Sequence, residues 1–263
     1  MGTIIVEDFD LGHTLESGQV FRFSKDSEYY FVLVGGKKFN IKQVGSKLAF
    51  NGVDRKFVNS FFRLNEDYKL ILKSINKDEH LDNAIKEYYG LRLMKQDPWE
   101  NIVSFICSSC ANIPKIRINL NLLSEFFGEK LSNGYSFPVI GSLTDLEKLK
   151  EAKSGYRAKY LFEANKLVTQ SFIEEVKSLD YQSAKEKIKS IPGIGDKVAD
   201  CILLFSFGFD QAFPVDTWVQ KALVEKYGQK GNMKSLQNFG QEYFGKYAGW
   251  AQQYLFQSTR LSQ

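Results

Sequence analysis

A chain of 263 residues, 43% hydrophobic and 25% charged, can bury a sizeable core, and that balance describes a soluble globular protein. A net charge of +4 permits a nucleic-acid partner without requiring one. Three cysteines (Cys107, Cys110, Cys201) and two histidines (His13, His80) are too few for a disulfide framework, a four-thiolate iron–sulfur cluster or a zinc site, so no metal or other cofactor is expected. The chemistry available is that of carboxylates and lysine.

In chain order, the first ten residues carry acids and no basic stretch, unlike a secretory leader, and the longest apolar run, at 201–209, is well short of a membrane span. An intracellular protein without membrane contact is expected, and its lysine-rich composition suggests an AT-rich microbial genome, hence a cytoplasmic or nucleoid location. Residues 1–50 read as strands, with aromatic and β-branched runs at 20–25, 29–34, 38–44 and 47–50 and a Gly35-Gly36 hairpin turn, the pattern of an antiparallel meander. Helical periodicity follows at 54–64, 66–75 and 78–89, stopped by Gly90. Asp97-Pro98 opens a buried helix over 99–109, which Asn112–Pro114 breaks. Further helices are expected at 115–127, 142–151, 157–170, 181–190, 196–207, 216–227, 234–244 and 247–260. The fold class is α+β: an N-terminal antiparallel sheet domain with helices, over 1–95, followed by a mainly helical domain over 96–263.

The most informative stretch is 188–222. Pro192, Gly193 and Gly195 form a tight hairpin, and Asp196 is placed as the N-cap of the apolar helix that follows. Backbone N–H groups at such a hairpin point outward, ready for a phosphate. Lys197 sits in the first helical turn, where the positive end of the helix dipole and burial both favour the free amine that nucleophilic attack requires. Cys201 lies at i+4, roughly 40° around the helix, so it faces the same way. Asp216, after Pro214-Val215, opens the next helix as its cap. Gln252 and Phe256 are likewise i and i+4 on the last helix.

The string PGIGDKVADC followed by FPVDTW resembles the helix-hairpin-helix, Gly/Pro-rich, Asp superfamily of DNA glycosylases. LESGQVFRF (15–23), QDPWENIVSFICSS (96–109) and GWAQQYLF (249–256) make the chain similar to the 8-oxoguanine DNA glycosylases of the Ogg family, over nearly its whole length. The resemblance implies a helical domain of two lobes with the active site between them. It also implies a monomer acting on double-stranded DNA that contains 8-oxoguanine. Lys197 would be the nucleophile at C1′ and Asp216 its electrostatic partner, and a lysine nucleophile leaves a Schiff base that permits strand cleavage by β-elimination. Cys201 and Phe256, with Pro214 beside them, would form the base pocket, and Gln252 would read the Watson–Crick edge of the flipped base. The Gly18 carbonyl would accept the N7 proton that oxidised guanine has and guanine lacks. Tyr156 would be the intercalating wedge, Arg157 a contact to the orphaned opposite base, and Gly193 and Gly195 a phosphate grip.

Two departures from the family pattern bear on specificity. Cys110-Ala111-Asn112 replaces an asparagine run, and Lys115 stands where an arginine is usual, at positions that read the opposite cytosine. Lysine cannot make arginine's bidentate fork, and alanine makes no hydrogen bond, so a relaxed opposite-base preference is expected. Trp218 stands where vertebrate-like members have a phosphate-contacting histidine, a contact the indole N–H can still make. The competing readings are a monofunctional glycosylase for alkylated bases and a non-catalytic helix-hairpin-helix DNA-binding protein. Lys197, Gly18 and Gln252 argue against the first, and the pairing of Lys197 with Asp216 argues against the second.

Overall fold

The computed structural model describes residues 1–131 and 134–261. Its elements are β1 (Gly2–Ile5), α1 (Leu11–Leu15), β2 (Phe23–Asp26), β3 (Tyr29–Val34), β4 (Lys37–Val44), β5 (Lys47–Asn51), α2 (Arg55–Phe61), α3 (Tyr68–Ile75), α4 (Glu79–Glu87), α5 (Pro98–Ser108), α6 (Ile113–Phe127) and a short ribbon of β6 (Lys130–Leu131) with β7 (Gly134–Tyr135). Then come α7 (Leu146–Leu149), α8 (Arg157–Leu167), α9 (Gln170–Ser178), α10 (Tyr181–Lys189), α11 (Asp196–Ile202), α12 (Thr217–Tyr227), α13 (Met233–Phe244) and α14 (Ala248–Leu261). Wider π-type turns continue α7 through Lys150–Ser154 and α11 through Leu203–Phe207.

The five-stranded antiparallel sheet has the order β1-β5-β4-β3-β2, so the expected meander is present. Its period-2 pattern turns Val32, Ile41 and Leu48 inward, all fully buried. Three features depart from the expected elements. β1 adds to the sheet beside β5, pairing Gly2 with Phe50, a partnership distant in sequence. Leu11–Leu15 is a helix capped by Asp10, inside a region read as strands. The helix expected over 157–170 stops at Leu167, and Thr169 caps α9, whose Phe172, Ile173 and Val176 face the core.

Two apolar cores result. One lies under the sheet and includes Phe61, Phe62 and Met94, and the other fills the helical part. α3 and α4 contribute to the helical core although they precede residue 95, because an amphipathic helix buries its stripe against other helices. The extended segment 91–96 runs between the cores: Lys95 N donates to the Phe61 carbonyl and Gln96 N to the Phe205 carbonyl. A second tie is Arg63, whose guanidinium makes a bidentate pair with Asp210 at 2.8 and 2.7 Å and lies over Trp250.

Candidate active site

The hairpin between α10 and α11 is shaped by glycine. Gly193 has φ +85°, and a Cβ there would stand 2.5 Å from the Tyr160 ring, so no side chain is tolerated. The N-cap of α11 is Gly195, not Asp196, and no side chain caps the helix. Asp196 is the first helical residue, and its carboxylate faces Lys189 at 3.1 Å and Lys185 at 3.6 Å, where the acid also complements the helix dipole. The first-turn amides are therefore left without a side-chain acceptor of their own.

α11 is held from behind by a buried polar cluster. Asp200, fully buried, accepts from Lys185 at 2.9 Å, from Tyr181 Oη at 2.6 Å and from the Gln237 amide. Burial pushes the Asp200 carboxyl up, against the pull of Lys185 and the hydrogen bonds. This anchor joins α10, α11 and α13 and sets the rotation of α11, which turns Lys197 and Cys201 to the front.

There, Gly18, Lys197, Cys201, Pro214, Asp216, Gln252 and Phe256 line one small cavity of about 50 Å³. All seven residues expected in the catalytic pair and base pocket thus converge. The Lys197 amine lies 5.5 Å from the centre of the Phe105 ring, which stacks on Phe205. Burial pushes the Cys201 thiol up to about 12, so it presents a neutral, polarisable face. Asp216 caps α12 by accepting from Trp218 N at 3.0 Å and Val219 N at 2.9 Å, both on Oδ1. Asp10, Asp54, Asp97 and Asp180 cap helices the same way, so the cap alone does not mark Asp216. What sets it apart is burial, which raises its carboxyl above the usual range against the opposing effects of the cap amide of Val219 and the charge of Lys197. Gln252 is 4% exposed and its Oε1 has no partner, an unmet acceptor in the pocket wall.

Gly18 closes the pocket with φ +80°. Its neighbours are fastened: the Ser17 carbonyl accepts from Gln253 Nε2 at 2.8 Å, and the Gln19 carbonyl from Gln96 Nε2 at 2.8 Å. The Gly18 carbonyl accepts from no described residue. Outside the pocket, a cleft of about 710 Å³ shares Gly18, Lys197, Asp216 and Phe256 and is also lined by Asn112, Trp218, Met233 and Arg260.

The residues expected to hold the duplex lie away from the pocket, at the rim. Tyr156 is 54% exposed, with its hydroxyl 3.3 Å from the Ser109 carbonyl and its ring edge-on to Tyr160, beside the Gly193 hairpin. Arg157, expected at the opposite base, is 7% exposed. Its Nε and Nη2 donate to the Ser109 carbonyl and Nη2 also to that of Cys110. Asn112 caps α6 by accepting from Lys115 N at 3.0 Å, so its amide oxygen is engaged. The sequence reading missed Phe105, Phe205, Gln253 and Arg260. Arg260 was within reach, since it stands four residues after Phe256 on one helix face. The two phenylalanines carry no mark that separates a pocket wall from core.

A lysine amine and a half-buried carboxylate beside a small pocket, behind a hairpin with open amides, define a helix-hairpin-helix enzyme of the DNA glycosylase class. Residues 3–102 match the family model described as 8-oxoguanine DNA glycosylase, N-terminal domain. A solved structure of Clostridium acetobutylicum 8-oxoguanine glycosylase/lyase, bound to double-stranded DNA with cytosine opposite 8-oxoguanine, is 31% identical. The likeness has a TM-score of 0.92 and covers 100% of this chain and 98% of that one. The N-glycosylase/DNA lyase of Saccharomyces cerevisiae is 30% identical over 74% of this chain, and the match spans 64% of the yeast protein. A probable N-glycosylase/DNA lyase of Methanothermobacter thermautotrophicus is 29% identical over 75% of this chain and 71% of its own length. The chain belongs to the 8-oxoguanine glycosylase/lyase family of bifunctional DNA repair enzymes. No helix among the described residues is long and apolar enough to cross a membrane.

Proposed function

We propose that the protein excises 8-oxoguanine from double-stranded DNA and then cuts the strand, with Lys197 as nucleophile and Asp216 as its electrostatic partner. The lysine nitrogen bonds to C1′ as the C1′–N9 bond breaks, and the base leaves with the electron pair and takes up a proton. The C1′–O4′ bond then breaks, with O4′ taking up a proton and the nitrogen losing one, which opens the sugar to the Schiff base; loss of a C2′ proton from it expels the 3′ phosphate. Both cap bonds of Asp216 fall on Oδ1, which leaves Oδ2 for the cationic sugar of the transition state. Cys201 and Phe256 sandwich the base. The unmet Oε1 of Gln252 accepts from the N–H groups of its Watson–Crick edge, and the open Gly18 carbonyl accepts from N7–H. A cavity of about 50 Å³ holds waters but no purine, so the pocket widens as the base enters.

Tyr156 wedges into the stack, and the open amides at 193–195 take a backbone phosphate. Every residue named for the pocket except Gly18 lies in 96–263. That supports treating this part as the glycosylase domain and 1–95 as a companion that lends one turn. The enzyme acts as a monomer on the DNA of a microbial cell.

The opposite-base preference is relaxed in this reading. Arg157 is spent on the Ser109, Cys110 and Ser154 carbonyls, the Asn112 oxygen on a cap, and Lys115 lacks the fork of arginine. Similar excision rates opposite all four bases are expected. A cytosine preference above about a hundredfold (roughly 2.7 kcal/mol) would sink it.

The convergence of Lys197 and Asp216 on one pocket carries the functional reading. Borohydride trapping on a duplex with a single 8-oxoguanine tests it: wild type should form a covalent adduct that Lys197→Gln does not. Base loss without an adduct in wild type would mean a monofunctional enzyme and a wrong role for Lys197.

A further inference from the structure

We infer that Gln253 and Arg260 are positioning residues for lesion discrimination, aiming the Gly18 carbonyl by fixing the Ser17 and Glu16 carbonyls that precede it, opposite the hold of Gln96 on Gln19. The inference rests on the reading of Gly18 above and adds what holds that carbonyl in place. The turn carries four successive carbonyls. Glu16 accepts from Arg260 Nη2 at 2.9 Å, Ser17 from Gln253 Nε2 at 2.8 Å, and Gln19 from Gln96 Nε2 at 2.8 Å. Gly18 alone is left open. Gln253 and Arg260 both come from α14, which also carries Gln252 and Phe256.

Arg260 is itself fixed. Nη2 bonds Gln257 Oε1 at 2.8 Å, and the guanidinium carbon lies 5.2 Å from the centre of the Phe256 ring. A Cβ on Gly18 would stand 3.3 Å from Phe256 Cε1 and 3.5 Å from Arg260 Nη1, so ring and guanidinium leave the turn little more room than a glycine needs. A glycine at positive φ has soft neighbouring peptide planes, and a carbonyl that swings loses its directed bond to N7–H. Pinning the planes on both sides removes that freedom before the base arrives.

The test measures single-turnover excision of 8-oxoguanine and of an analogue with carbon in place of N7, which lacks the N–H. Wild type should favour 8-oxoguanine by on the order of tenfold or more, the worth of one buried hydrogen bond. Gln253→Leu and Arg260→Met should lower the rate on 8-oxoguanine by about tenfold and on the analogue by less than about threefold, the signature of coupling between each residue and the N7 bond. Arg260→Lys, which keeps a donor, should recover most of the preference. Equal losses on both substrates in Gln253→Leu and Arg260→Met would mark the residues as structural supports and overturn the inference. A wild type indifferent to N7 would overturn the Gly18 reading, and the inference with it, a failure visible before any variant is made. Gln253 is 2% exposed, so the half-buried Arg260 supplies variants less able to harm the fold.

Discussion

On one side of the cleft the Glu16, Ser17 and Gln19 carbonyls are each capped by a side chain distant in sequence, and the Gly18 carbonyl between them accepts from no described residue. On the other side, Arg157 spends its guanidinium and Asn112 its amide oxygen on the backbone around them, and Cys110 sits at φ 50° at an exposed tip. The same device, a side chain bonded to a backbone carbonyl or amide, has opposite consequences in the two places. Around Gly18 it leaves one carbonyl without a partner; around Arg157 it occupies the guanidinium. In the proposed reading, discrimination is built where polar groups remain unsatisfied and rigid, and tolerance where they are already satisfied.

The comparison can be broken at either end. Lys197→Gln should cost the most, about a thousandfold or more in single-turnover base removal, with duplex affinity changed only severalfold, because it removes the pocket's chemistry and leaves the rim intact. Lys185→Met strips the anchor behind α11 and leaves Asp200 buried without its cation. A loss of about 3–5 kcal/mol is expected in urea denaturation at neutral pH. Since burial raises the Asp200 carboxyl, it takes up a proton readily once unpaired, so that loss should shrink as pH falls.

Asp216→Asn should lower excision by about a hundredfold with little change in stability, because asparagine caps a helix as well as aspartate does. Burial raises the Asp216 carboxyl, so protonation removes its charge at a higher pH than for a free carboxylate, near 4. The wild-type rate should fall with acid through a limb displaced upward from that value, and the variant's profile should lack the limb. The smallest effect is expected at the rim. Lys115→Arg together with Ala111→Asn should raise the cytosine preference severalfold, measured as a ratio of excision rates opposite the four bases, because both restore donors that do not depend on Arg157.

Much of this architecture is local in origin and was legible as such. The period-2 runs of β2 to β5, the Asp97-Pro98 start of α5, and the glycine hairpin before Lys197 are each written within a few residues, and the structure contains them all. The i and i+4 pairs Lys197/Cys201 and Gln252/Phe256 follow from helix geometry alone. The misses were of another kind. β1 is a strand only because Phe50 and its neighbours offer an edge, and α1 forms where a strand run was read. Asp196 looked like a cap, but the chain turns one residue earlier, at Gly195.

What the sequence determined by itself was which residues share a helix face and which chemistry a lysine, a carboxylate and an amide brought together could perform. Only the tertiary structure decided which polar atoms remain unpaired. Whether Gly18 keeps an open carbonyl while Arg157 loses its free guanidinium depends on partners as far as 47 to 244 positions away along the chain. Hydrogen-bond satisfaction is a property of the packed molecule, and no local pattern records it.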